Sequence, residues 1–285
     1  MPSGNKRQLS TTAITYIAVG VAMITIMTII GMSAFMQLRV IVIEGVPQHT
    51  VDEIVEASGL SIGDNLFFVS PHNISRNIQE ALPFVISAQV ARVPPDTISI
   101  NITTSRPVAA ITSSGEVYII DSSGRVLETA RVGAPLLSDV NINDLIEIHG
   151  VDVDVSNTIA GGHIRPVFGT ETRLQHMLDI LEILDSEMFT EIEESEDGEE
   201  VLISTPLIDF TSYIDVSNIV NVHFGFMDIY RVTLGGGINL RYSNLRHSIS
   251  GLPEYVDQVQ SSFPNSPGNI DMSSETGGPI FRRAD

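Results

Sequence analysis

The chain has 285 residues, with 35 acidic against 15 basic side chains and a formal net charge of −20. That length suits about two folded units. Such a field leaves no basic patch to hold nucleic acid, or, by charge alone, anionic lipid or wall polymer. Without a cysteine, a disulfide framework, a zinc–thiolate site and a redox pair are all excluded.

From Ile14 to Met36 the sequence ITYIAVGVAMITIMTIIGMSAFM carries no charged residue. As a helix it would run roughly 34 Å, enough for a hydrocarbon core of about 30 Å. The apolar run exceeds that of a signal peptide and ends without an A-x-A cleavage pattern, so it reads as an uncleaved anchor. Lys6 and Arg7 on the short N-terminal flank place that end in the cytoplasm. Setting those two aside, 13 of the 15 basic residues remain against 35 acidic ones in the extracytoplasmic bulk. The expected topology is single-pass, with the C-terminus outside.

A strand follows almost without a linker, LRVIVIEG from Leu38 to Gly45. Thr50-Val51-Asp52-Glu53 has the form of a capping box and predicts a short helix through Ala57, stopped at Ser58-Gly59. Ser70-Pro71 predicts the start of a second helix, with Ile74, Ile78 and Leu82 on one face and Pro83 at its end. Ile86, Ala88 and Val90 alternate with polar residues. Beyond the turn Pro94-Pro95-Asp96, so do Ile98, Ile100 and Ile102. The order strand, helix, helix, strand, strand predicts two helices on one face of a small mixed sheet, with a free sheet edge.

That order directly after a single anchor resembles the POTRA domain of the bacterial cell-division family FtsQ/DivIB. The residues that carry the resemblance are Val42-Ile43-Glu44-Gly45, Ser58-Gly59-Leu60, Gly63-Asp64-Asn65-Leu66-Phe67 and Leu82-Pro83-Phe84-Val85. Val90, Arg92, Pro95-Asp96-Thr97-Ile98 and Pro107-Val108-Ala109 continue it. Thr104-Ser105 stands where the family often has Glu-Arg, and Pro94 where it favours an aromatic residue.

In the rest of the chain, Val117–Asp121 and Arg125–Leu127 flank Ser122-Ser123-Gly124, a hairpin signal. Leu174, Leu178, Leu181 and Leu184 predict a helix from Glu171 to Leu184. Short strands are expected at Val201–Ser204, Ile208–Ser217, Ile219–Phe226 and Ile229–Leu234. A helical region near Leu245–Val259 should be broken around Gly251 and Pro253. This outline is similar to the family's β-domain. Tyr213-Ile214-Asp215-Val216-Ser217 and Ile270-Asp271-Met272-Ser273 resemble its two Ile-Asp-x-Ser stations. Gly237 through Leu245 resembles its glycine-to-Lys-Leu stretch, with Asn244 in place of lysine.

Catalytic and metal signatures are thin. None of His49, His72, His149, His163, His176, His223 and His247 lies three or four residues from another, so no helix face offers two imidazoles to a metal. Asp152-Val153-Asp154 could suggest a metal-dependent sugar transferase, but HGVDVDVSNT reads better as an alternating strand with its polar face in water. There is no G-x-S-x-G elbow and no phosphate loop, and Gly235-Gly236-Gly237 reads as a flexible turn. The acidic run Glu191–Glu200 lacks the spaced ligands of a calcium loop and reads as a solvated turn with Asp197-Gly198 at its tip. No cofactor, metal or small-molecule substrate is expected.

At the C-terminus, Gly268–Ser273 and Gly278–Arg283 predict two closing strands, and a last strand is normally an edge open to strand addition. Pro279 suits edge protection equally well. Arg282 and Arg283 are the one adjacent basic pair outside the anchor and suit an acidic stretch on a partner. The resemblance implies that small bitopic coiled-coil division proteins of FtsB/DivIC and FtsL type dock on this closing strand. The expected partner-binding residues are therefore Ile270, Asp271, Met272, Gly278, Ile280, Phe281, Arg282 and Arg283. The expected fold is α+β: a cytoplasmic tail at 1–13, a transmembrane helix bounded by Ile14 and Met36 (14–36), a POTRA domain at 38–107, and a mixed, mainly antiparallel β-domain at 108–285. The function the resemblance implies is that of a non-enzymatic divisome scaffold at the septum, serving septal peptidoglycan synthesis. An outer-envelope secretion or assembly component and a membrane-anchored wall hydrolase are the alternatives.

Overall fold

The computed structural model describes residues 11–45, 50–136, 138, 140–194, 200–274 and 278–284. Lys6, Arg7, His49 and the Asp197-Gly198 tip lie outside the described residues. Two compact units divide the chain, Met1–Thr104 and Ser105–Asp285.

The first unit begins with α1 (Thr11–Phe35), 25 residues of helix without a charged side chain. Its side chains are described in one continuous run only over 15–28. Among the described residues no helix is long and apolar enough to cross a membrane. Then come β1 (Val40–Glu44), α2 (Val51–Ser58), α3 (Pro71–Ala81), β2 (Val85–Val93) and β3 (Thr97–Thr104). The sheet runs β1-β3-β2, with β1 parallel and β2 antiparallel to the central β3.

Local chemistry sets the helix ends. Glu53 N–H donates to Thr50 Oγ1 and Thr50 N–H donates to Glu53 Oε2, both at 3.3 Å, which completes the capping box. Gly59 ends α2 in the left-handed region. Ser70 caps α3 through the Asn73 amide, and Pro71 opens it. Ile54, Ile74 and Ile78 from the helices bury against Ile98, Ile100 and Ile102 of β3, the residues that alternate in the sequence. Leu38, read as part of the first strand, instead precedes it: its amide donates to Asp64 O, and its side chain joins this core.

The second unit contains β4 (Ala109–Ser113), β5 (Glu116–Ile120), β6 (Val126–Arg131), β7 (Ile146–His149), α4 (Glu171–Ser186), β8 (Met188–Glu194), β9 (Glu200–Pro206), β10 (Thr211–Asp215), β11 (Val222–Phe226), β12 (Tyr230–Gly235), α5 (Tyr242–Ser250), α6 (Leu252–Ser262), β13 (Gly268–Asp271) and β14 (Ile280–Arg283). Nine of its strands form one sheet in the order β14-β13-β12-β11-β10-β7-β4-β5-β6, while β8 and β9 pair as a separate hairpin. The helices cover one face: Met177, Ile180, Leu181 and Leu184 of α4 and Leu245, Ile249, Val256 and Val259 of α5 and α6 join Ile111, Ile148, Ile214, Phe224, Val232 and Ile270 in one core. On the opposite face Leu136 and Leu145 cover Ala110, Val117 and Ile119.

The hairpin at Ser122-Ser123-Gly124 forms around a buried carboxylate. Asp121 Oδ1 accepts from the Ser123 amide and hydroxyl and from the Arg125 amide, and Oδ2 accepts from Ser105 Oγ at 2.6 Å. Each carboxylate oxygen thus has a hydrogen-bond donor, as a buried polar group requires. Three expectations are corrected. Ile208–Ser217 is not one strand: residues Leu207–Phe210 make a 3-10 turn before β10. Ile219–Phe226 starts only at Val222, because Asn218 folds its side chain back onto the Val220 amide. HGVDVDVSNT alternates as expected over Val151–Asp154, with Val151 and Val153 buried, Asp152 exposed and Val153 bridged to Pro166, but it is not one continuous strand. Gly150, at φ +90°, ends β7, and Asp154 closes a turn by accepting from the Ser156 amide and from Asn157 Nδ2.

Gly150 is required twice over: its φ is in the left-handed region, and a Cβ there would stand 2.2 Å from the Ser217 amide nitrogen. Gly150→Ala is expected to destabilise the second unit by about 2 kcal/mol or more, read as a lower urea midpoint. Thr50→Ala should cost the first unit about 1 kcal/mol, seen as roughly fivefold faster hydrogen exchange of the α2 amides.

Candidate partner-binding edge

β13 and β14 end the nine-stranded sheet, and the reason they pair is visible in GNID and IFRR. Gly268 has no side chain because the Phe281 ring occupies that space: a Cβ would come within 2.4 Å of the ring. Phe281 is held there by Tyr230, with ring centroids 6.2 Å apart and nearly perpendicular, and by Phe263 at 5.7 Å. Ile270 is wholly buried beneath the same strand.

The pairing register then decides which backbone groups are spent. Gly268 pairs with Arg283, Asn269 with Arg282, Ile270 with Phe281 and Asp271 with Ile280. One step further along the same register, Ala284 N–H donates to Pro267 O at 2.9 Å. The hydrogen-bonded pairs therefore fall at Arg282 and Ile280, because such pairs alternate along an antiparallel ladder. Gly268 N–H donates instead to Ile229 O, and Met272 N–H to Thr233 O, on the β12 side, as that alternation requires. So the amides and carbonyls of Phe281 and Arg283 point away from β13, along the edge where no strand is paired among the described residues.

Side chains on the solvent face of this hairpin are organised too. Ile280 is 44% exposed. Arg282 reaches diagonally to Asp271, Nη1 to Oδ2 at 3.2 Å. Asp271 also accepts from the Ser273 hydroxyl at 2.5 Å and the Ser273 amide at 3.1 Å. Those bonds, aided by the guanidinium, hold the Asp271 carboxyl below its ordinary range despite partial burial. Arg282, read from the sequence as a cation for a partner, is thus already engaged within the hairpin. Met272, Gly278 and Pro279 border a cleft of about 710 Å³ with Asn239, His247, Tyr255 and Gln258 from the helical side. The expected edge residues Ile270, Asp271, Ile280, Phe281, Arg282 and Arg283 lie on one hairpin. Ile14 lies in α1, and the carbonyl of Met36 accepts the Leu66 N–H.

A second grouping has no trace in the sequence spacing. Strand register puts His149 of β7 and His223 of β11 on either side of Asp215 in β10. His223 Nε2 lies 3.6 Å from Asp215 Oδ2, and the Tyr213 ring is 6.2 Å from His149 and 5.9 Å from His223. Partial burial raises the Asp215 carboxyl, but the Ser217 hydrogen bonds and the two imidazoles outweigh it and leave it lowered. Among the described residues no three His, Asp or Glu side chains are grouped to hold a metal ion. Asp152 and Asp154 form no pair, since Asp154 is committed to its own turn.

Because the Asp271 carboxyl is lowered in the folded chain, it stabilises the fold at pH values above its ordinary 3.8, and that contribution disappears as pH falls through the lower folded value. The urea midpoint of the intact chain should therefore exceed that of Asp271→Asn at pH 7, and the gap should close as the pH is lowered below the ordinary carboxylate range.

Residues 36–103 match the family model described as POTRA domain, FtsQ-type. The cell division protein FtsQ of Corynebacterium glutamicum is 30% identical over 131 residues, covering 45% of this chain and 57% of that protein. FtsQ of Anaeromyxobacter sp. is 25% identical over 160 residues, 48% of this chain and 54% of the relative. The cell division protein DivIB of Clostridium acetobutylicum is 24% identical over 204 residues, 64% of this chain and 80% of the relative. The chain spans about half the length of the FtsQ relatives it matches. Residues 36–103 are thus an FtsQ-type POTRA domain, and over part of its length the chain is similar to cell division proteins named FtsQ and DivIB.

Proposed function

We propose that the chain is a non-enzymatic divisome scaffold. The observation that carries this reading is the presence, in one chain, of an FtsQ-type POTRA domain and an edge at β14 that no strand pairs among the described residues. In this reading residues 1–13 are a cytoplasmic tail, 14–36 a transmembrane anchor, 38–107 the POTRA domain and 108–285 the β-domain. The anchor is supported by the sequence of α1, whose 25 uncharged residues would extend about 37 Å as a helix. The bulk of the chain then faces the outside, and the protein gathers at the septum.

The partners proposed are small bitopic coiled-coil division proteins of FtsB/DivIC and FtsL type. One of them adds a strand along β14, taking the outward amides and carbonyls of Phe281 and Arg283. Backbone bonding of this kind supplies affinity, while the exposed Ile280 and Arg283 select the side chains that fit, and Phe281 and Arg282 hold the strand in place. Asp271, Met272 and Gly278 shape the hairpin from behind. No chemistry is needed: the assembly positions septal peptidoglycan synthesis and leaves the bond making to other proteins. The relatives named above are division proteins, which favours this reading over secretion or wall hydrolysis.

With a fluorescent tag on the N-terminus, growing cells should show a midcell band, and a uniform envelope signal throughout the cell cycle would sink the division reading. Arg283→Pro removes an outward amide without touching the bonds to β13, so it should weaken partner capture about fivefold or more, while Arg283→Ala should weaken it less. Equal loss in both variants would move the interaction from the backbone edge to the arginine side chain.

A further inference from the structure

We infer that the loop Ser61–Val69 of the POTRA unit lies in the interfacial layer of the bilayer, with Ile62, Phe67 and Phe68 inserted among the lipids. The inference rests on the anchor reading above and extends it to a second membrane contact. Phe68 is 86% exposed, Ile62 67% and Phe67 52%, three apolar side chains of one short loop whose Leu66 is buried in the core. Two of the loop's polar side chains are turned onto its own backbone: Asp64 Oδ2 accepts the Ser61 amide at 2.9 Å, and Asn65 Oδ1 accepts the Phe67 amide at 3.0 Å. Asp64 and Asn65 are half-buried and Ser61 is the exposed polar side chain; the other exposed side chains of the loop, Ile62, Phe67 and Phe68, are hydrocarbon.

The loop's position follows from backbone bonds. Leu66 N–H donates to Met36 O, and Leu38 N–H to Asp64 O, at 2.8 and 2.7 Å, and Gln37 bridges Asn65. Met36 closes the apolar stretch, and the polar Gln37 follows it. Phe68 lies two residues beyond Leu66, so its Cα is within about 10 Å of the Met36 backbone. The headgroup layer on each side of the hydrocarbon core is roughly 5–8 Å thick, so a side chain held that close to the end of a spanning helix reaches it. Phe and Leu on an otherwise polar surface are the side chains that partition there. Arg92, whose Nε and Nη2 both donate to Val69 O, holds the far end of the loop and places a cation beside the lipid phosphates. Because the chain is strongly acidic, the contact is apolar and does not depend on anionic lipid.

The absence of native cysteine allows single labels. The 285-residue chain in phosphatidylcholine vesicles would carry an environment-sensitive fluorophore at Phe68→Cys, Ile62→Cys or, within α1, Met23→Cys. Nitroxide lipid labelled near the headgroup should quench the two loop labels at least about threefold more than aqueous iodide does. The Met23 label should be quenched by deep nitroxide lipid and shielded from iodide. Lipid quenching at Met23 with only iodide quenching at both loop positions overturns the inference and leaves the anchor standing. Iodide quenching at all three overturns the anchor reading as well. Loop quenching that appears only when phosphatidylglycerol is added also overturns it, because the attraction would then be one of charge.

Discussion

The four residues of β7 hold the second unit together. Two antiparallel meanders, β4-β5-β6 and β10-β11-β12, become one sheet because Ile146–His149 pairs in parallel with β4 on one side and β10 on the other. Parallel neighbours cannot be joined by a tight turn. The chain between β7 and β10 must therefore leave the sheet, and it does so through α4, whose buried face supplies much of the core. The same constraint recurs at β12 and β13, which are also parallel and are joined through α5 and α6. Each long excursion supplies a helix for the same sheet face, so topology and core are one solution.

The position of the last hairpin follows from this arrangement. Once β13 has crossed over to lie beside β12, β14 can only fold back antiparallel and end the sheet. Three aromatic rings fasten it from the core side, and the Arg282–Asp271 pair fastens it from the solvent side. An edge strand fixed on both faces presents its backbone groups in a defined direction, which lowers the ordering cost for anything that pairs with it.

Features written into neighbouring residues were legible in the sequence: the capping box at Thr50 and Glu53, the Ser70-Pro71 start, the alternation of Ile98, Ile100 and Ile102, and the break at Gly251. What was missed depends on residues far apart. Period-two alternation in HGVDVDV is as good a strand signal as any, but it cannot reveal that Gly150 must sit against Ser217 with positive φ. Nothing in the spacing of His149, Asp215 and His223 announces a shared surface, because the neighbourhood is made by register across three strands. Parity at the edge is equally hidden. The sequence presents Arg282 and Arg283 as twins, whereas pairing turns one backbone inward and the other outward.

A strand as short as β14 sets a limit on what it can bind. Two outward residues offer at most two amides and two carbonyls, and backbone hydrogen bonds net about 1 kcal/mol each, so pairing alone reaches about 4 kcal/mol. In free solution that corresponds to a dissociation constant of about 1 mM. Two proteins tethered to the same bilayer do not meet in free solution: confinement raises their effective concentration toward that range. A weak edge of this kind would be empty among isolated fragments and occupied between neighbours in one membrane, and it would release its partner as soon as the two drift apart.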